Sequence, residues 1–233
     1  MNSMVSQDQL NNISSYISKR LRKSFGKGPQ TCQTTLHRKY LVTYINGFLS
    51  PMEEVLLNED QHKTVDHTRN MIISYIMEEI KGVIQVTIGM DIMETFHDWN
   101  FPNNSGIMIF ELESEVIVEE LNDSIPLSPL EKEVSRISEI IQKVPDYIHI
   151  TPITPYIYLV ERKGILILIE KALIAKGVQE ELHYTKDQLE KEYFHRYGRF
   201  DEIFNRSVKD IFIGWNFKED KSIMAFILDN RKK

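Results

Sequence analysis

Basic side chains are concentrated near the start of the chain, where together they could bind phosphate or carboxylate groups. The cluster comprises Lys19, Arg20, Arg22, Lys23, Lys27, Arg38 and Lys39. It is a local feature, because the whole chain carries a formal net charge of −6. Candidate ligands are nucleic-acid phosphates, an acidic protein and an anionic membrane surface. The alternative is a solvated helix face whose positive charges suit a helix C-terminus. No aromatic residues are interleaved with the cluster in a stacking pattern, which disfavours nucleic acid.

A glycine-containing turn, residues 25–29, lies inside this cluster. Its Gly26, Lys27 and Gly28 could contact an anion through backbone N–H groups and the ammonium group. Phosphate-binding loops normally precede a helix, whereas this turn follows a predicted one. We therefore favour a helix C-cap here, and Gly26, Lys27 and Gly28 remain candidate contacts only as part of the basic cluster.

Other chemistry-bearing residues do not form a recognisable site. A zinc pair on a helix needs ligands four residues apart, but His62 and His67 are five apart, with only Asp66 between them as a further ligand type. Four polar residues toward the end of the first half show no paired-carboxylate or nucleophile–base pattern; they are Asp91, Glu94, His97 and Asp98. Cys32 is predicted to be a packed side chain. We predict no catalytic residue, no metal, no cofactor and no enzymatic activity.

The basic cluster is predicted to sit on a helix and the hairpin that follows it. Residues 8–24 place apolar side chains on one helical face, at Leu10, Ile13, Ile17 and Leu21. Residues 30–36 and 39–46 are predicted strands that form a hairpin, turning near His37 and Arg38.

Further helices and strands complete the first half. A capping box at Ser50–Glu53 predicts a short helix. A longer helix is predicted from Gln61 to Gly82, with apolar residues at Val65, Ile72, Ile76 and Ile80. Residues 83–89 are predicted to be a strand, the stretch around Trp99 to be irregular, and residues 106–112 to be the closing strand. Helix, two strands, helices and two strands indicate an α+β layer pair with an antiparallel sheet.

The second half repeats features of the first. Residues 161–173 resemble residues 37–49, and the blocks around Trp215 and Trp99 match with the same internal spacing. This alignment has an offset of 124 residues at the strand and 116 at the tryptophan, which predicts a shortened central helical region in the second copy.

We therefore predict an α+β fold of two similar α-β-β-α-β-β units that form a tandem pseudo-dimer. The predicted domains are residues 1–115 and 129–233, joined by a linker at 116–128. A single cysteine among 233 residues fits a reducing cytoplasm. The start of the chain has no signal-peptide pattern, and no apolar run has the length of a membrane span, so we predict a soluble cytoplasmic protein without direct membrane insertion.

The first half resembles the MpsC family, named as a subunit of a proposed sodium-translocating membrane-potential-generating system. The resemblance rests on the first helix with the turn at 25–29, the segment 47–53, the long helix and the strand at 107–112. It covers roughly residues 8–113. In the second half, residues 142–146 lack the Gly-Lys-Gly-Pro turn, and our alignment places Lys171 at the position of Gly47.

The resemblance implies an accessory or regulatory role beside membrane sodium or bicarbonate transport. We predict a protein partner that is a component of such a system, with homodimerisation as a further expectation. The predicted binding residues are Lys19, Arg20, Arg22, Lys23, Lys27, Gly26, Gly28 and Arg38. The alternative hypothesis is a nucleic-acid-binding or anion-binding module that uses the same helix.

Overall fold

The computed structural model describes residues 5–116 and 125–232, which divide into two compact units, Met1–Glu119 and Glu120–Lys233. Each unit contains helices and one four-stranded antiparallel sheet, which confirms the predicted α+β class. Most of the predicted linker lies outside the described residues. The pseudo-dimer arrangement stays a prediction.

The first unit has the predicted order of helices and strands. Its elements are α1 (Gln7–Phe25), β1 (Thr31–His37), β2 (Tyr40–Asn46), α2 (Pro51–Asn58), α3 (His62–Ile88), β3 (Ile92–Asn100) and β4 (Ser105–Leu112). The strand order in the sheet is β1-β2-β4-β3. β4 is buried along its whole length, because it lies in the middle of the sheet and is apolar on both faces.

Helix α1 begins and ends as its sequence indicates. Ser6 and Gln9 form a capping box at the N-terminus, and Gly26 ends the helix in the left-handed conformation at φ 74°. The four predicted apolar positions are all buried, and they pack with α3 and one face of the sheet in a single core.

Helix α3 differs from the prediction, because it continues through Gly82 to Ile88. Ile76, Ile80, Ile84 and Ile88 recur every four residues and are all buried, so the helical stripe runs through the segment predicted as a strand. Gly82 lies on the exposed side, where it weakens the helix without interrupting its packing.

The third strand of the first unit was therefore misplaced. It is β3, Ile92–Asn100, rather than residues 83–89, and it includes Trp99. On α3, Ile73 is fully buried and Ile72 only partly. β-branched residues favour strands only weakly, and tertiary packing against α1 and the sheet prevailed in this segment.

The second unit contains α4 (Leu127–Ile141), β5 (Tyr147–Thr154), β6 (Ile157–Lys163), α5 (Leu168–Ala175), α6 (Gln179–Tyr197), α7 (Phe200–Phe204), β7 (Arg206–Asn216) and β8 (Lys221–Lys232). Its strand order, β5-β6-β8-β7, matches that of the first unit position by position. Both units thus have a helix, a hairpin, further helices and a second hairpin, and the second unit adds the short helix α7 to the two central helices that the first unit has.

The two units correspond with an offset that differs from the predicted one. Strand β6 lies 117 residues after β2, and the same step relates Gly47 to Gly164, both with φ above 60°. Lys171 is therefore not the counterpart of Gly47, and the central helical region is not shortened by eight residues. The apolar run after Gly164 resembles a strand in sequence, but the left-handed glycine ends β6 and the chain continues into α5.

In each unit, a side-chain oxygen accepts hydrogen bonds from the two backbone N–H groups that follow this glycine. Asn104 Oδ1 accepts hydrogen bonds from the backbone N–H groups of Phe48 and Leu49, at 2.7 and 2.9 Å. Asp220 Oδ1 accepts from those of Ile165 and Leu166, both at 2.8 Å. We call each contact the turn clamp, because it holds the chain between the second strand of the unit and the short helix that follows.

Gly82 and Gly89 give opposite predictions for alanine substitution. A Cβ on either residue meets no atom within 4 Å, but Gly89 has φ 76°. Gly82→Ala should raise the free energy of unfolding by about 1 kcal/mol, because it removes a glycine from a helix interior. Gly89→Ala should lower it by about 1 kcal/mol, because the left-handed conformation is strained for alanine. Urea denaturation measures both; stabilisation by both variants would contradict the helix end at Ile88.

Glu133 couples α4 to the segment before α7. It accepts two hydrogen bonds from the Arg136 guanidinium and one, at 2.8 Å, from the backbone N–H of Arg199. The Arg136 hydrogen bonds, followed by the Arg199 N–H, lower the pKa of Glu133 to about 2, against the opposing effect of burial. Protonation of this carboxylate therefore opposes folding.

Glu133 should contribute stability that is present above pH 4.5 and lost as the pH falls toward 2, because its folded-state pKa lies below the ordinary glutamate value of 4.5. Glu133→Gln should remove this part of the pH dependence of the free energy of unfolding. Glu139→Gln, an exposed residue of the same helix, is the matched control. Parallel stability–pH curves for wild type and Glu133→Gln would contradict the prediction.

Candidate functional site

The basic residues of α1 fall into two groups. Lys19, Arg22 and Lys23 are exposed, and the last two lie in the final helical turn, where positive charge interacts favourably with the helix dipole. Arg20 instead contacts α3: its Nε lies 2.7 Å from Glu79 Oε2. The hydrogen bond from Tyr16 and the Arg20 guanidinium lower the pKa of Glu79. Arg20 thus helps to join α1 to α3.

The turn after α1 is shaped by its glycines. Gly26 supplies the left-handed cap predicted from the sequence. Gly28 makes room for a neighbouring side chain, since a Cβ there would lie 2.8 Å from Arg22 Nε. Lys27 Nζ lies 3.7 Å from Glu54 Oε1, which places the turn beside α2.

Arg38 lies apart from these residues. It occupies the β1–β2 turn with φ 51°, and β1 runs back along α1, as the 2.9 Å hydrogen bond from Ser14 to Thr34 shows. A seven-residue strand spans roughly 20 Å, so Arg38 sits near the opposite end of α1 from Lys23. We therefore define the basic end of α1 as Lys19, Arg22, Lys23 and Lys27.

A buried ion pair lies directly behind the basic end of α1. Arg69 donates to both carboxylate oxygens of Glu53, from Nε at 2.9 Å and from Nη2 at 2.7 Å. Its guanidinium carbon lies 4.2 Å from the ring centre of Phe25, 4.1 Å from that of Phe48 and 4.7 Å from that of Trp99. Burial lowers the pKa of Arg69, and the hydrogen bonds to Glu53 oppose that shift. An arginine nonetheless stays protonated in proteins.

Glu53 also completes the capping box of α2. Its Oε2 accepts from the backbone N–H of Ser50 at 2.9 Å and from the Ser50 hydroxyl at 2.8 Å. One carboxylate therefore fixes the start of α2 and neutralises the buried guanidinium. The sequence analysis identified the capping box but missed the ion pair. Arg69 lies four residues from both Val65 and Ile73 on the buried stripe of α3, and a charge inside an apolar stripe was the available signal.

The second unit has an ion pair at the corresponding positions. A step of 117 residues leads from Glu53 to Glu170 and from Arg69 to Lys186, whose atoms Oε1 and Nζ are 2.8 Å apart. The Lys186 ammonium lies 4.1 Å from the ring centre of Trp215. Gln142 donates to Glu170 at 2.5 Å and occupies the place that corresponds to Phe25.

This second site is larger and more polar than the first. Arg162 donates to Glu190 at 2.6 Å and to the hydroxyls of Ser138 and Ser222, and all four residues are fully buried. The counterparts of Arg162 and Glu190 in the first unit are Ile45 and Ile73, which are core residues.

Three polar atoms of the second site have no hydrogen-bond partner among the described residues: Gln142 Oε1, Glu190 Oε1 and Trp215 Nε1. Glu190 Oε1 does lie 3.3 Å from the Lys186 ammonium. An ammonium group lacks the flat fork of donors that lets Arg69 bind both oxygens of one carboxylate. Within the described part of the chain, Gln142 Oε1 and Glu190 Oε1 at the lysine site thus lack the hydrogen bonds that both Glu53 oxygens accept at the arginine site.

The candidate metal-ligating and nucleophilic residues do not form a site. Within residues 5–116 and 125–232, no three His, Cys, Asp or Glu residues are grouped so that they could hold a metal ion. Burial raises the pKa of Cys32 to about 12, which makes it a poor nucleophile. Across the same described ranges, no helix is both long enough and apolar enough to cross a bilayer.

The comparison with protein families matches one part of the chain. Residues 7–114 match the MpsC family, described as "Na+-translocating membrane potential-generating system (MpsC)". The resemblance of the first half to this family is thereby confirmed. The MpsC match contains both the basic end of α1 and the Glu53–Arg69 pair. No curated protein and no solved structure matches the chain.

Arg69→Met should destabilise the first unit strongly, because it leaves the Glu53 carboxylate buried and unpaired. We expect a loss of about 3–5 kcal/mol in the free energy of unfolding. The double variant Glu53→Gln/Arg69→Met should recover part of that loss, because no buried charge remains. Trp99 fluorescence in a Trp215→Phe background reports this unit, since the chain has only two tryptophans. A loss below about 1 kcal/mol would show that the pair contributes no more than a surface salt bridge.

Proposed function

We propose that the chain is a non-enzymatic accessory protein of the cytoplasm that docks on an acidic partner in a membrane-associated Na+ transport system. The observation that carries the proposal is the exposed basic end of α1, which lies within the MpsC-matching residues. The partner surface would present carboxylates, because Lys19, Arg22 and Lys23 offer only hydrogen-bond donors.

The basic end of α1 is rigidly supported, which favours a specific contact. Phe25, the last residue of α1, packs against Arg69, and Arg20 ties the helix to Glu79. Cations presented on a fixed helix end lose less conformational entropy on binding than cations on a mobile loop.

The basic end of α1 has no equivalent in the second unit. The step of 117 residues leads from Arg22 to Glu139 and from Lys23 to Ile140, and the basic counterpart of Lys19, Arg136, is paired with Glu133. The docking surface that we propose is therefore a property of the first unit. A nucleic-acid ligand stays the alternative, but Arg20 and Arg38 lie outside the surface, so fewer cations are available for phosphates than the sequence indicated.

A pull-down with tagged full-length protein from detergent-solubilised cells of the source organism tests the proposal. Wild type should recover a membrane transport component, and Lys19→Ala/Arg22→Ala/Lys23→Ala should recover at least about ten-fold less, because charges that complement a partner surface govern association. The control Lys132→Ala/Lys209→Ala/Lys218→Ala changes the same number of exposed lysine and arginine charges in the second unit. It should behave like wild type.

Two outcomes would contradict the proposal. Equal losses for both triple variants would show that only overall charge matters. Recovery of RNA in place of a protein, removed by nuclease and by added salt, would establish the nucleic-acid alternative. Thermal unfolding of each variant must match that of wild type, as expected for exposed side chains.

A further inference from the structure

Helix α5 of the second unit exposes most of its apolar residues. Its sequence is Leu-Ile-Glu-Lys-Ala-Leu-Ile-Ala, yet the only buried residue is the charged Glu170. Leu168 exposes 88% of its surface and Ile169 exposes 61%. An apolar helix with a buried carboxylate reverses the usual pattern of a surface helix, so its orientation requires an explanation.

The structure holds α5 in this orientation through polar contacts. Glu170 accepts from the Lys186 ammonium at 2.8 Å and from the backbone N–H of Ile167 at 2.9 Å, which directs its side chain inward. The turn clamp at Asp220 fixes the preceding residues, and Lys171 pairs with the other oxygen of Asp220 at 3.0 Å. Leu168 and Ile169, at the first turn of α5, are consequently directed outward.

The exposed charges on α5 and its C-cap are positive, although Lys171 also pairs with Asp220 and the acidic Glu180 and Glu181 follow in the first turn of α6. Lys171 and Lys176 are exposed and follow Leu168 and Ile169 on the same short helix and its C-cap. Long lysine side chains can extend from an apolar contact to a polar, anionic layer. Exposed leucine and isoleucine bordered by lysine are the combination that binds the interfacial region of anionic bilayers.

The equivalent helix of the first unit has the same shape but the opposite charge. Met52, at the position of Ile169, exposes 65% of its surface, and Val55 is also exposed. The acidic residues Glu54, Glu59 and Asp60 lie beside them. Although Lys27 pairs with Glu54, the charges on α2 itself are acidic, so α2 serves as an internal control for α5.

We propose that α5 binds the surface of an anionic phospholipid bilayer, with Leu168 and Ile169 in the interfacial layer and the two lysines near the lipid phosphates. A second copy of the chain fits less well. An eight-residue helix is about 12 Å long, far too small for the roughly 800 Å² per partner of a stable interface, and two facing α5 helices would bring like charges together. This contact does not depend on the docking proposed for α1.

Flotation of the full-length protein with phosphatidylcholine vesicles, with and without about 30 mol% phosphatidylglycerol, tests the proposal. Wild type should float with the anionic vesicles and much less with the neutral ones. Leu168→Ser/Ile169→Ser should lower the partition coefficient at least about ten-fold, because it removes both apolar side chains. Met52→Ser/Val55→Ser should stay within about two-fold of wild type, because α2 is acidic.

Insertion can be located with a tryptophan probe. Ile169→Trp should be quenched by brominated lipid in anionic vesicles, whereas Met52→Trp should not, because only the former enters the interfacial layer. Absence of wild-type flotation, or equal losses for the two serine variants, would overturn the proposal. So would retained flotation of Leu168→Ser/Ile169→Ser. A further outcome concerns the pull-down. If wild type does not float with vesicles but recovers a protein that Leu168→Ser/Ile169→Ser does not recover, α5 is a protein-binding surface and the lipid assignment is wrong.

Discussion

The first unit depends on one buried ion pair, Glu53–Arg69. A guanidinium enclosed by three aromatic rings would be very costly to bury without its carboxylate, so the two groups must be buried together. The pair contacts the end of α1, the start of α2, the middle of α3 and strand β3. Phe25, the last residue of α1, packs against this guanidinium, so the ion pair also fixes the position of the basic end of α1.

The second unit keeps the positions of this pair and changes its surroundings. Lysine replaces arginine, glutamine replaces phenylalanine, and two isoleucines of the core become Arg162 and Glu190. Two cations and two carboxylates balance one another there, but three polar atoms remain without hydrogen-bond partners among the described residues. Buried networks of this kind add little stability over a well-packed apolar core, whereas loss of a single member leaves an unpaired buried charge. In this network Glu170 is directed inward to the Lys186 ammonium, and Leu168 is consequently exposed.

Local signals in the sequence predicted much of the fold. The helical stripe of α1, the hairpin turn at Arg38 and the Ser50–Glu53 capping box depend on neighbouring residues, and the structure has all three. The errors came where local preference and tertiary packing disagree. Residues 83–89 are β-branched but complete a stripe that begins at Val65, and the run after Gly164 is apolar but follows a left-handed turn. The alignment of the halves failed for the same reason, because it matched composition rather than backbone conformation.

The candidate site was less predictable than the fold. The cations of α1 could be identified from the sequence, but the separation of Arg20 and Arg38 from the others depends on contacts with Glu79 and on the direction of β1. The partners of a buried charge, such as Glu53 and Arg69, lie on different helices, and no short-range pattern joins them.

The paired charges also restrict how the two units could have diverged. A buried carboxylate and its cation cannot be lost one at a time, since either intermediate carries an unpaired charge in the core. Lysine at the position of arginine keeps the positive charge, and glutamine at the position of phenylalanine donates to the same carboxylate. The second unit satisfies this constraint, because it has a carboxylate–cation pair at the corresponding positions inside a different lining.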